Sequence, residues 1–195
     1  MRVVKGFTLY LPTPKSQLTV SVMNIYLSGM IGSGKSAIGT LLAGRLGWSF
    51  FDLDREMDRE LGTSFHELVR EQGWLPFRER EYRICKRFAR MNGAVIALGG
   101  GTVRYEWNID ALRGTGVMIL LEADIRILVG RVRQADRPRV NIGVSLEEDL
   151  NRIWSSSAHI YRKTADLIYR TDSGKGIEEE VDDLMGLLKA RGFRG

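Results

Sequence analysis

Gly29-Met30-Ile31-Gly32-Ser33-Gly34-Lys35-Ser36 fits the pattern Gly-x-x-x-x-Gly-Lys-Ser and follows an apolar run, Asn24-Ile25-Tyr26-Leu27-Ser28. Glycines let such a loop curl so that successive backbone N–H groups point inward at phosphate oxygens. A helix opening at Lys35 would add the positive end of its dipole. Gly32, Ser33, Gly34, Lys35, Ser36 and Ala37 are therefore the expected nucleotide-phosphate cradle. Lys35 reaches the β- and γ-phosphates, and the Ser36 hydroxyl ligates Mg²⁺. No Asp or Glu occurs before Asp52, so the segment carrying this loop holds no negative side chain to repel an anion.

Other chemically capable residues recur just after apolar runs. In an open parallel sheet, ligands gather beyond the carboxyl ends of the strands. After Ser49-Phe50-Phe51 come Asp52 and Asp54, two apart, so that in extended backbone both carboxylates face one side and can share a site with the cation on Ser36. The plainer reading of one aspartate is an N-cap for a helix beginning near Arg55, and one residue can do both. After Ala94–Leu98 come Gly99, Gly100 and Gly101, a tract costly to order unless a ligand or another backbone comes close. It is the expected floor for a substrate. Arg78 and Glu81, three apart on a helical pattern, can pair on a solvated face or line a pocket together. Arg137 beside Pro138 lies in an aperiodic stretch, residues 134–144, where a closing arginine could stabilise a transferring phosphoryl group. His66 and His159 are the only histidines and lack a ligand-spaced partner, which argues against zinc. Cys85, the single cysteine, is read as packing within a helix.

The elements that must position these groups alternate along the chain. Candidate strands are Asn24–Ser28, Ser49–Asp52, Ala94–Leu98, Val117–Glu122 and Leu167–Arg170, several with the unalternating look of strands covered on both faces. Helical patterns run over Lys35–Leu46, from Ser64 as the first residue of a capping box, and over Gly73–Met91, Asp124–Val132, Leu146–Tyr161 and Gly176–Arg191. The alternation implies an α/β protein, a three-layer α/β/α sandwich around a five-stranded parallel sheet. One domain is expected over residues 23–195, with residues 1–22 an extension outside the ordered fold.

At 195 residues, 44% hydrophobic and 27% charged, the composition is that of a globular chain with a real core. The net charge of +5 is spread without a basic, aromatic-interleaved block, which argues for small anions over nucleic acid. No apolar run approaches the ~18 residues that span a bilayer. A lone cysteine and the absence of a secretory core point to the cytoplasm, and a monomer is expected.

From about Asn24 to its end the sequence resembles the shikimate kinase family of small P-loop enzymes. The ordered motifs that carry this are Gly29–Ser36, Asp52-x-Asp54, Phe77-Arg78 with Glu81, Gly99–Gly101, Arg137-Pro138, and Tyr161 within Ile160-Tyr161-Arg162-Lys163-Thr164-Ala165. The resemblance implies a P-loop kinase fold with a mobile lid at about 134–144. It also implies ATP and Mg²⁺ as cofactors, and transfer of the γ-phosphoryl group to the 3-hydroxyl of shikimate in aromatic amino acid biosynthesis. By matched position Lys35, Asp54 and Arg137 would be catalytic, and Ser36 and Asp52 would serve the metal. Asp54, Arg78, Gly99, Gly100 and Gly101 would bind the acceptor. One position departs: the family carries an arginine four residues before the motif tyrosine, gripping the same carboxylate as Arg78, and here that residue is Ser157. Either another basic residue, Arg104, Arg152 or Arg162, substitutes, or the acceptor is a different hydroxylated molecule. A nucleotide-binding regulatory protein without catalysis is the alternative from another class, disfavoured by Asp54, Arg78 and Arg137 beside an intact phosphate loop.

Overall fold

The computed structural model describes residues 23–132 and 143–193. The proposed extension, residues 1–22, lies outside them, as do Arg137 and all of the expected lid except Gly143 and Val144. Five strands, β1 (Asn24–Ser28), β2 (Ser49–Asp52), β3 (Ala94–Ala97), β4 (Gly116–Glu122) and β5 (Leu167–Arg170), form one sheet in the order β2-β3-β1-β4-β5. Every pairing is parallel, with Leu27 opposite both Ala97 and Ile119 at the centre. Eight helices accompany it among the described residues: α1 (Lys35–Leu46), α2 (Leu53–Leu61), α3 (Phe65–Gln72), α4 (Trp74–Phe88), α5 (Glu106–Leu112), α6 (Ile125–Val132), α7 (Leu146–Thr164) and α8 (Ile177–Ala190).

Alternate residues of each strand feed two cores, as the period of a strand requires. Ile25, Leu27, Val95, Ile119 and Leu121 pack against Ile38 and Leu42 of α1 and Val181, Leu184 and Leu188 of α8. Tyr26, Ile96 and Leu120 face the other way, onto Met57, Phe77, Ile84, Phe88 and Tyr161 from α2, α4 and α7. The expected three layers are present. Local signals stop and start the helices: Gly47, at φ 68°, ends α1, and the Ser145 hydroxyl accepts the Glu148 N–H at the start of α7. Ser64 caps α3 as expected but accepts from His66 N–H, while the Glu67 carboxylate takes the Thr63 hydroxyl in place of the reciprocal capping-box bond.

The expected start of the helix after β2 needs correction. The helix placed near Arg55 begins at Leu53, so Asp54 lies in its first turn and not in extended backbone beside Asp52. The cause is Asp52 itself: its Oδ1 accepts the N–H of Asp54 at 3.1 Å and of Arg55 at 3.4 Å, turning the chain into a helix directly after the strand. The segment after the glycine tract, which shows little periodicity, forms a 3-10 turn at Thr102–Arg104 and the short helix α5.

Candidate active site

The carboxyl ends of β1, β2 and β3 open onto a cavity of about 480 Å³, within the size range of small-molecule sites. Gly32, Gly34, Lys35, Ser36 and Ala37 line it on one side; Asp54, Arg78, Gly99, Gly100 and Gly101 line it on the other, with Asp52 between. Ser33 is the expected cradle residue that does not reach the wall. It is buried, and its carbonyl accepts the Thr171 hydroxyl at 3.1 Å, anchoring the loop to the segment after β5.

The phosphate-loop side is built mainly from backbone. Gly32 and Gly34 adopt φ of 79° and 94°, where a side chain is strained, and a Cβ on Gly32 would also come within 2.7 Å of Val132. Lys35 folds back over the loop, its Nζ donating to the carbonyls of Gly29 and Met30, each at 2.9 Å. No acidic residue of α1 itself occupies its first turn, so the helix presents its positive end to the cavity. The Ser36 hydroxyl donates to Asp52 Oδ2 at 2.6 Å. A hydroxyl and a carboxylate oxygen set together beside a phosphate cradle are the hard donors Mg²⁺ prefers.

The opposite wall rests on side chains. Arg78 is inside the fold: its Nη1 donates to Glu81 Oε2 at 2.7 Å, and Glu81 is 0% exposed. Glu81 also accepts the Thr102 hydroxyl at 2.7 Å and the Asn108 amide at 3.0 Å, so the buried carboxylate is satisfied from three elements. The Arg78 guanidinium lies 4.4 Å from the ring centre of Tyr105 and 4.7 Å from that of Phe77, so cation–π attraction reinforces its position. The spacing of Arg78 and Glu81 signals a pair; that the pair is buried, and that Thr102 and Asn108 complete it, is tertiary information the sequence withholds.

The glycine tract joins the two walls. A Cβ on Gly99 would come within 3.0 Å of Asp54 Oδ1, and one on Gly101 within 3.1 Å of Arg78 Nη2. One on Gly100 would sit 3.6 Å from the backbone nitrogen of Ile31, inside the phosphate loop. The glycine tract therefore lies close beside the Gly29–Ser36 loop. The Tyr161 hydroxyl donates to the Gly100 carbonyl and holds the tract down. Burial pushes that hydroxyl up to about 12, against the opposing pull of Arg104 and Arg78. Of the three basic residues considered as replacements for the family arginine, Arg104 is on the wall, and Arg152 and Arg162 are not.

The shikimate kinase family model matches residues 31–187. The chain belongs to the shikimate kinase family. A shikimate kinase of Symbiobacterium thermophilum is 36% identical over 176 residues, covering 89% of this chain and 100% of that protein. One from Chromohalobacter salexigens is 36% identical over 166 residues, covering 85% and 91%. Among solved structures, shikimate kinase from Acinetobacter baumannii in complex with shikimate superposes with a TM-score of 0.83 at 25% identity, covering 89% of this chain and 97% of that one. The deoxyadenosine kinase of M. mycoides, with bound dATP, shares the fold at a TM-score of 0.56 and 17% identity. The family's fold thus extends over the described sheet and both helical layers.

Proposed function

We propose that this protein is an ATP-dependent kinase that transfers the γ-phosphoryl group to the 3-hydroxyl of shikimate, acting in the cytoplasm as a monomer. The observation that carries this reading is the closeness of the Gly99–Gly101 floor to the phosphate loop, where a Cβ on Gly100 would sit 3.6 Å from Ile31 N. It gives a family member one cavity with room for a nucleotide phosphate and a small hydroxylated acid side by side.

In the proposed reaction the 3-hydroxyl oxygen bonds to the γ-phosphorus as the bond to the β,γ-bridging oxygen breaks, and ADP leaves. The hydroxyl proton passes to Asp54, whose carboxylate lies over the floor. Proton removal of this kind contributes roughly 10²- to 10⁴-fold. Lys35, the loop N–H groups and the end of α1 stabilise charge on the phosphoryl oxygens, since such a transition state asks for positioning and electrostatics more than covalent help. Ser36 and Asp52 fit Mg²⁺, which would neutralise phosphate charge there. Arg78, held by Glu81, is assigned to the acceptor carboxylate, and Arg137 to the closing lid on the family resemblance alone.

A second reading, a related kinase for a different hydroxylated acceptor, is favoured by Ser157. It is 2% exposed, and its hydroxyl meets that of Ser156 at 3.3 Å, where the family resemblance implies an arginine. A coupled ADP-release assay with shikimate, quinate and gluconate, with the product identified by phosphorus NMR, decides between them. Saturable release at sub-millimolar shikimate yielding a 3-phosphate ester supports the first reading; preference for another acceptor replaces it with the second.

A further inference from the structure

A ligand carboxylate entering the acceptor side needs an uncompensated cation, because Asp54 and Asp149 also line that cavity. Lys35 is turned into the phosphate loop, and Arg78 is neutralised by Glu81 at 2.7 Å. Arg104 differs from both. It lines the same cavity, is half-buried, and makes no ion pair among the described residues. Its place is fixed by the 3-10 turn Thr102–Arg104, whose backbone is pinned by Arg104 N–H donating to the Gly101 carbonyl at 3.1 Å.

Its reach can be gauged from Tyr161. Arg104 and Arg78 both line the cavity that Tyr161 and Gly100 share, and both charges pull that buried hydroxyl down against the effect of burial. The other basic residues near α7 are engaged elsewhere. Arg152 pairs with Glu148 on an exposed face, and Arg162 pairs with Glu122 at 2.7 Å; neither lines the cavity. Ser157, on the α7 face that buries it, does not line the cavity and carries no charge.

We infer that Arg104 is the specificity-determining cation for the acceptor carboxylate, reaching from the turn after the glycine floor and taking the part that position 157 cannot play in this chain. The inference rests on the shikimate kinase reading and adds a residue to it. Arg104 and Arg78 together form a two-sided grip: Arg78 is held rigid by Glu81, and Arg104 supplies the net positive charge.

Steady-state kinetics of Arg104→Gln and Arg104→Met, beside Arg152→Gln, test this with shikimate and with its methyl ester, which keeps the hydroxyls and loses the charge. The expected result is a roughly 10- to 100-fold rise in KM for shikimate, with KM for ATP unchanged and kcat within about threefold. The acid-over-ester preference of the wild type should collapse in both Arg104 variants and persist in Arg152→Gln. An unchanged KM for shikimate, a retained preference, or a fall in kcat alone overturns the role of Arg104. If Arg104→Gln does not fold, Arg104→Met, which keeps an apolar stem, decides by the same ratio. Shikimate turnover by the wild type with an unaltered Arg104→Gln defeats this inference only; no shikimate turnover by the wild type defeats the parent reading and this one together.

Discussion

The two walls of the cavity are made of different material. The phosphate side is one continuous stretch, residues 29–37, whose working groups are backbone N–H donors, a helix end and a lysine folded over its own loop. The acceptor side is gathered from α2, α4, the glycine tract, the following 3-10 turn and α7, and it turns on a carboxylate buried at 0% exposure. A site made by the main chain survives many side-chain changes without unfolding. A site made by a buried ionic network ties function to stability.

That contrast is sharpest at Lys35 and Glu81. Lys35→Ala is expected to lower kcat/KM by about 10³-fold, equivalent to about 4 kcal/mol of transition-state stabilisation, with the thermal midpoint unchanged. ADP release and a melting curve on the same sample check both halves. Glu81→Gln keeps the shape and removes the charge that balances Arg78, leaving a buried cation unpaired. A loss of about 3 kcal/mol is expected, a drop of roughly 6–12 °C in Tm, together with weakened acceptor binding. If Glu81→Gln melted like the wild type, the distinction between the walls would fail.

Smaller changes refine the picture. Ser36→Ala is expected to raise the Mg²⁺ concentration for half-maximal rate by about tenfold, about 1.4 kcal/mol, without altering stability, because Asp52 still caps α2. The smallest effect is expected at Tyr161. Its proton is held up to about 12 in the folded protein and leaves near 10 in the unfolded chain. Its contribution to stability is therefore full below pH 10 and is lost as pH rises from 10 toward 12. Tyr161→Phe should cost about 1 kcal/mol at neutral pH through the lost bond to Gly100 and should flatten the alkaline decline, read by denaturant titration at stepped pH.

The same contrast decided what could be read from the chain. All five strands were legible, three to the residue, because strands buried on both faces leave continuous apolar runs between turn signals. The glycine-rich loop was legible because its pattern is written in consecutive residues. On the other wall, Arg78 and Glu81 declare a pair by spacing alone, and nothing local says whether water or Thr102 and Asn108 surround it. The 3-10 turn bearing Arg104 lacks periodicity, and its place is set by contact with α7. The start of α2 was misplaced by two residues because Asp52 ends a strand and caps a helix at once, and propensity assigns a residue to only one of these.

The central claim is that both substrates meet over the Gly99–Gly101 floor with Asp54 between them. Asp54→Asn tests it most directly, with ADP affinity measured by calorimetry and phosphoryl transfer to shikimate measured on the same protein. The account predicts unchanged ADP affinity and a kcat reduced roughly 100-fold or more. Transfer at the wild-type rate by Asp54→Asn would contradict it.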